Sequence, residues 1–225
     1  MNALLLLLLD SRAPAGAQHH SGAMEAAVMA GLVTDLTGVE DFCQTRLRTS
    51  ARVAAAFAAA ACHGAERPGF SALAAELDAE FEARTPSEAT RTASRQLGGG
   101  LIRLARSVLP GADLALGPAP HHPLALGAVV SRAGGGPELA ARAAALAACA
   151  GPASAAVRLL GLDPFAVHAL MARLAPGIDA CAAGAARCAV GPPAALPATL
   201  PADGAPALDL LPDYHLTAEV RLFAS

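Results

Sequence analysis

Asp163-Pro164-Phe165-Ala166-Val167-His168-Ala169-Leu170-Met171-Ala172-Arg173-Leu174-Ala175-Pro176-Gly177 is the stretch from which the fold class is read. Val167, Leu170, Met171 and Leu174 recur at i, i+3, i+4 and i+7, so a helix gathers them on one apolar stripe that needs a packing partner. Asp163 is a good N-cap, and Pro164 suits the first helical position, where its missing N–H costs nothing. Pro176-Gly177 predicts the end of that helix. His168 stands beside the stripe, where the ordinary role is a helix-flank histidine with a backbone or water partner.

The same punctuation recurs outward from this stretch. Thr37-Gly38-Val39-Glu40 has the spacing of a capping box and predicts a long helix towards Cys62. Thr85-Pro86-Ser87-Glu88 repeats the spacing, with Pro86 expected at the first helical position. Ser21 caps a short helix ending at Gly31, and Gly136-Pro137 and Gly151-Pro152 bracket an Ala-rich helix from Glu138 to Ala150. Period-2 alternation and Asn-Gly or Asp-Gly hairpin signals are missing. The expectation is an all-α single domain of roughly eight to ten short helices joined by turns of ordinary length.

Between Arg91 and Arg106, Leu97, Leu101, Leu104, Ala105 and Val108 mark one face, and Arg91, Arg95, Gly98, Gly99, Arg103 and Arg106 the other. A mid-helix glycine costs about 1 kcal/mol relative to Ala, so Gly98 and Gly99 predict close approach of another backbone. Leu109 to Pro123 reads as a surface loop. Val190 to Pro212 holds six of the chain's 17 prolines and predicts an extended, mobile tether. The organisation expected is therefore a helical body over residues 1–189 and a Pro-rich tether with a C-terminal docking segment over 190–225. The docking reading rests on the last eleven residues, His215 to Ser225, which place Leu222 and Phe223 on a terminus where exposed apolar side chains need a reason.

Composition narrows the function classes. Hydrophobic residues make up 54% and charged residues 16% of the chain, a surface that wants covering, although the use of Arg for all 16 basic residues points to codon bias as a contributor. A net charge of −3 and 3% aromatics supply neither a phosphate footprint nor stacking platforms, which excludes nucleic acid as the expected partner. Five cysteines, an odd number set mostly in Ala-rich helical stretches, suit free thiols in the cytoplasm. Leu4 to Leu9 followed by Ala13-Pro14-Ala15 imitates a signal peptide, but no Lys or Arg precedes the run and Asp10 ends it. No apolar stretch reaches the ~18 uninterrupted residues of a membrane span.

Catalytic motifs are missing from the sequence. It contains no phosphate-binding Gly-x-x-x-x-Gly-Lys, dinucleotide Gly-x-Gly-x-x-Gly, His-Glu-x-x-His or Gly-x-Ser-x-Gly. Donor atoms for a borderline metal such as nickel exist at His19-His20, His121-His122, Cys181 and Cys188, without the spacing of a preformed site. No tightly bound cofactor is expected. His19 and His20, between Gly16 and Gly22 in an accessible turn, are the candidates for a transient metal contact.

The stretch from Leu9 to Ala27 resembles the entry motif of the urease accessory protein F family: an apolar run, Asp-Ser, Pro-x-Gly, an aromatic or His before Ser-Gly, then Glu-Ala. Ser11, Pro14, Gly16, His20, Ser21, Gly22 and Glu25 carry it. Arg91, Ala93, Ser94 and Gly98 match the family's Arg-x-Ala-Ser-x-x-x-Gly helix. His121-His122-Pro123 with Leu126-Gly127, the run Ala156 to Asp163, and the terminal His215 followed by Arg221-Leu222-Phe223-Ala224-Ser225 resemble three further family segments. Ala224 stands where the family often has Arg, Gln18 where many members have an aromatic or apolar residue, and Gly98-Gly99 where Gly-Arg is common. The resemblance implies an all-α homodimer without catalytic activity, a chaperone for nickel insertion into apo-urease. It would join a nickel-linked GTPase to a second accessory protein of the D/H type, and regulate the GTPase, with nickel handled by the complex. His215, Arg221, Leu222, Phe223, Ser225, Arg91, Ser94 and Gly98 are the partner-binding residues it implies. The alternatives are an uncharacterised helical enzyme and a secreted helical protein.

Overall fold

A computed structural model describes residues 2–10, 20–109, 111, 113–192 and 195–215, without the side chains of Tyr214 and His215. No β-strand occurs among the described residues, and the all-α expectation holds. The helices are α1 (Ala3–Leu8), α2 (Met24–Met29), α3 (Leu36–Arg48), α4 (Ser50–Gly64), α5 (Phe70–Ala83), α6 (Glu88–Val108), α7 (His122–Arg132), α8 (Pro137–Leu160) and α9 (Pro164–Cys188). Three short ones follow: α10 (Leu196–Thr199), α11 (Pro206–Asp209) and α12 (Leu211–His215).

The fold is built around α4. Ala55, Ala56, Phe57, Ala58, Ala59, Ala60 and Ala61 are all fully buried, so α4 is apolar on every side, as a helix surrounded by others must be. α7, α8 and α9 pack against it. Alanine lets these helices come close, and Gly127 of α7 comes closest: a Cβ there would lie 2.2 Å from the Ala58 carbonyl oxygen. α3 closes the other side of α8 and α9, and α6 lies along α7.

Asp163 caps α9 as expected, accepting from the backbone N–H groups of Phe165 and Ala166. Val167, Leu170 and Leu174 are buried, as the stripe requires. Other boundaries differ. The helix predicted from Thr37 to Cys62 is capped by Asp35, which accepts from Gly38 N–H at 2.9 Å, and is interrupted at Thr49. There the hydroxyl of Thr49 bonds to the Thr45 carbonyl and competes with the helical ladder. α6 is capped by Ser87 rather than Thr85, leaving Pro86 outside the helix. Pro152 and Pro176, predicted stops, lie inside α8 and α9. A mid-helix proline costs roughly 3 kcal/mol, but both helices run on because their buried faces continue past it: Ala153, Ala155 and Ala156 in α8, Ile178, Ala182 and Ala185 in α9.

The Pro-rich segment is not simply extended. Leu196 and Leu200 are buried. The Arg84 guanidinium donates to the Pro197 carbonyl at 3.0 Å, Thr199 Oγ1 donates to the Cys188 carbonyl, and Arg52 pairs with Asp203 at 3.1 Å. The described part of the segment is thus strapped to the body, and it ends with α12 against α2 and α6. By length and mean hydropathy α8 is a helix that could cross a membrane, but it is packed between α3, α4 and α9 like a core helix.

Candidate partner-binding face

α6 carries three of the residues singled out by the resemblance, and the fold uses each of them. Arg91 donates to the carbonyls of Thr85 and Pro86 at 2.8 and 2.7 Å and pairs with Glu82 at 2.9 Å, which fixes how the chain turns into α6. One turn on, Ser94 Oγ accepts from the His122 backbone N–H at 3.1 Å and ties the start of α7 to α6. After a further turn, a Cβ at Gly98 would lie 2.0 Å from the Pro120 carbonyl oxygen, so only glycine admits the loop that precedes α7. Gly99 differs, with only the flexible end of Arg103 nearby at 3.6 Å.

Behind this seam lies a polar network in which Arg95 and His121 meet Asp78 and Glu82, two residues that the sequence reading did not name. Arg95 bonds to Asp78 at 2.9 Å, Glu82 at 2.6 Å and the Ala119 carbonyl at 2.9 Å. Asp78 also accepts from the His121 N–H, and Glu82 meets His121 Nε2 at 2.7 Å. His121 is fully buried, with its ring tilted against Phe81. Its burial pushes its pKa down, against the opposing pull of Glu82. Although desolvation works against it, the Glu82 carboxyl is held below its usual range by hydrogen bonds from Arg95 and His121. Burial and the nearby His20 bring His122 down to about 4. A sequence signal for the network did exist: Asp78 and Glu82 form an i, i+4 acidic pair on α5, matched by Arg91 and Arg95 at the same spacing on α6.

The C-terminal segment reaches the same end of α6. Asp213 Oδ1 accepts from the Ser87 hydroxyl and from the Ala89 N–H, both at 2.9 Å, which places a carboxylate on the α6 N-terminus. α12 also touches α2, where the entry motif lies. Ser21 and Glu25 are buried there. Gly22 takes a positive φ of 57°, with its Cβ position 3.0 Å from Pro152, and its carbonyl accepts from the buried Arg46 guanidinium at 2.6 Å. The structure thus brings Arg91, Ser94 and Gly98 together on α6 and places Ser21 and Gly22 in the turn that leads into α2 and Glu25 in its first turn, with α12 against both helices. Ser11, Pro14, Gly16, His19, Arg221, Leu222, Phe223 and Ser225 lie outside the described residues, and His215 is described only as the last residue of α12. Asp213 and Arg46 were missed because their partners are distant in sequence.

Among the described residues no group of three or more His, Cys, Asp or Glu side chains is placed to hold a metal ion. A shallow groove of about 410 Å³ between α3 and α9 is lined by residues such as Leu47, Arg48, Arg173 and Cys181.

Comparison with known proteins agrees with the reading from the sequence. A family model described as UreF matches residues 33–175. Over 223 residues the chain is 46% identical to the urease accessory protein UreF of Mycobacterium sp. (strain JLS), covering 98% of this chain and 97% of that protein. The UreF of Mycobacterium marinum is 43% identical over 224 residues, with 99% and 98% covered. That of Mycobacterium tuberculosis (strain CDC 1551 / Oshkosh) is 44% identical over 163 residues, covering 72% and 74%.

Proposed function

The chain belongs to the UreF family of urease accessory proteins and is not itself an enzyme, and from that premise we propose that it acts as a chaperone for nickel insertion into apo-urease. In this reading it joins the urease-linked GTPase to a second accessory protein of the D/H type that contacts urease, as a homodimer in the cytoplasm, and it influences the GTPase through that contact. Nickel passes through the complex without becoming a resident cofactor, His19 and His20 making at most a transient contact.

The observation that carries the reading is convergence. The α6 residues Arg91, Ser94 and Gly98, the motif Ser21, Gly22 and Glu25 at the start of α2, and the segment leading to His215 are far apart in sequence, yet α12 lies against both α2 and α6. Asp213 anchors α12 on the α6 N-terminus, two residues before His215. Leu222 and Phe223, apolar residues so close in sequence to an anchored helix, suit capture of a partner protein, because the anchor limits the freedom lost on binding.

Reconstitution tests this. Urease activation is measured in cells that supply the urease subunits and the other accessory proteins, with this chain, without it, or with His19 and His20 both changed to Ala. Activation should depend on the chain and fall in the double variant while its circular dichroism is unchanged. Equal activation with and without the chain would overturn the reading.

A further inference from the structure

Two thiols at the α3–α8 contact take no part in the accessory role. Cys43 of α3 and Cys149 of α8 are free, fully buried and 106 residues apart in sequence. Each Sγ lies 3.8 Å from the other residue's carbonyl oxygen. The reciprocal contact brings the two cysteines together from different helices, and the geometry of the pair makes it a candidate for a disulfide. The surroundings favour a nucleophile at one of them. The Cys149 thiol is held below its usual value by the hydrogen bond from Cys43 and, against the effect of burial, by the Arg46 guanidinium; the Cys43 thiol is pushed up by the same pairing.

We propose that Cys43 and Cys149 are a cross-linking site, forming a reversible disulfide that clamps α3 to α8 beneath the Ser21–Gly22 turn. Hydrogen peroxide, a small uncharged molecule, is the oxidant. The Cys149 thiolate attacks one peroxide oxygen, the O–O bond breaks, and hydroxide leaves to give a sulfenic acid. Cys43 sulfur then attacks the Cys149 sulfur, the S–O bond breaks, and the oxygen departs as water with the Cys43 proton. In sum, two thiols and one peroxide give one disulfide and two waters. A thiol reductant reverses the linkage by exchange. Its consequence follows from position. Arg46, on the same helix as Cys43, holds the Gly22 carbonyl, and Gly22 rests on Pro152 of α8, so the bond spans the junction that shapes the entry motif.

The full chain is treated with hydrogen peroxide, denatured in an alkylating agent, digested and analysed by mass spectrometry before and after thiol reduction. The expected product is a Cys43–Cys149 linked peptide pair, 2 Da lighter than the two free peptides and restored by reductant. Closing so long a loop restricts the unfolded chain, so the oxidised protein should also melt higher, by about 5 °C or more. Cys43→Ser and Cys149→Ser should each abolish both effects. Alkylation of both cysteines after peroxide treatment, linkage of Cys149 to Cys181 instead, or sulfinic acid without a cross-link would each overturn the proposal.

Discussion

Gly98 and Gly127 each sit where a neighbouring backbone oxygen fills the space of a side chain, yet their surroundings differ. Around Gly127 the atoms belong to Ala58, Ala61 and Cys62, an apolar seam between α4 and α7. Around Gly98 the loop at Pro120 is held by Ser94, Arg95, Asp78 and Glu82, a seam made of ion pairs and hydrogen bonds. The contrast teaches that one fold uses equally tight contacts for two ends. The apolar seam holds the core at any pH near neutrality, since burial pushes the one thiol beside it, Cys62, up to about 12. The polar seam shapes the face where the C-terminal segment lands, and its strength depends on protonation.

The largest effect should come from filling either contact. Gly127→Ala and Gly98→Ala each set a methyl group against backbone that cannot move aside, and each should cost about 3 kcal/mol or more by urea denaturation. Gly99→Ala is the control on the same helix. With only an ordinary contact to Arg103, it should leave stability unchanged or raise it by up to about 1 kcal/mol through helix propensity.

Acid should separate the two seams next. His122 is neutral in the fold down to about pH 4, whereas the unfolded chain takes up its proton near 6.5. Between these values the unfolded state binds more protons, so stability falls as pH drops through the window, by roughly 3 kcal/mol, and levels off below it. His121 shifts in the same direction and adds to the loss. Glu82, held low, contributes stability that is lost at still lower pH as its carboxyl protonates. Melting curves from pH 7 to 4 should show the decline. Amide exchange should place it first at the α6–α7 seam, with α4 opening later. Glu82→Gln removes the carboxylate shared by Arg91, Arg95 and His121 and, allowing for its partial exposure, should cost about 1–2 kcal/mol at pH 7. The smallest effect belongs to a surface pair outside both seams: Arg142→Ala, which breaks contacts with Glu138 and Asp179, should change stability by under about 0.5 kcal/mol.

The same contrast explains what could be read from the sequence. Helix type, the cap at Asp163 and the buried stripe of α9 are local patterns and were legible. Gly98 and Gly99 look alike in sequence, and only the arrival of the Pro120 carbonyl distinguishes them. Pro152 and Pro176 were misread as stops because a proline's cost is local, whereas the burial that offsets it comes from α3, α4 and α9. On the candidate face Arg91, Ser94 and Gly98 were legible through the family resemblance. The bonds from Asp213 to α6 and from Arg46 to Gly22 were not, since each joins segments that only folding brings together.

The proposal most open to direct test is that the C-terminal segment binds the second urease accessory protein. The most direct measurement is the affinity of the second urease accessory protein for the full chain and for a chain lacking residues 215–225, each checked by circular dichroism. The account predicts an intact helical body and a loss of roughly hundredfold or more, the share that burying Leu222 and Phe223 in the partner would supply. Equal affinity for the two chains would contradict it.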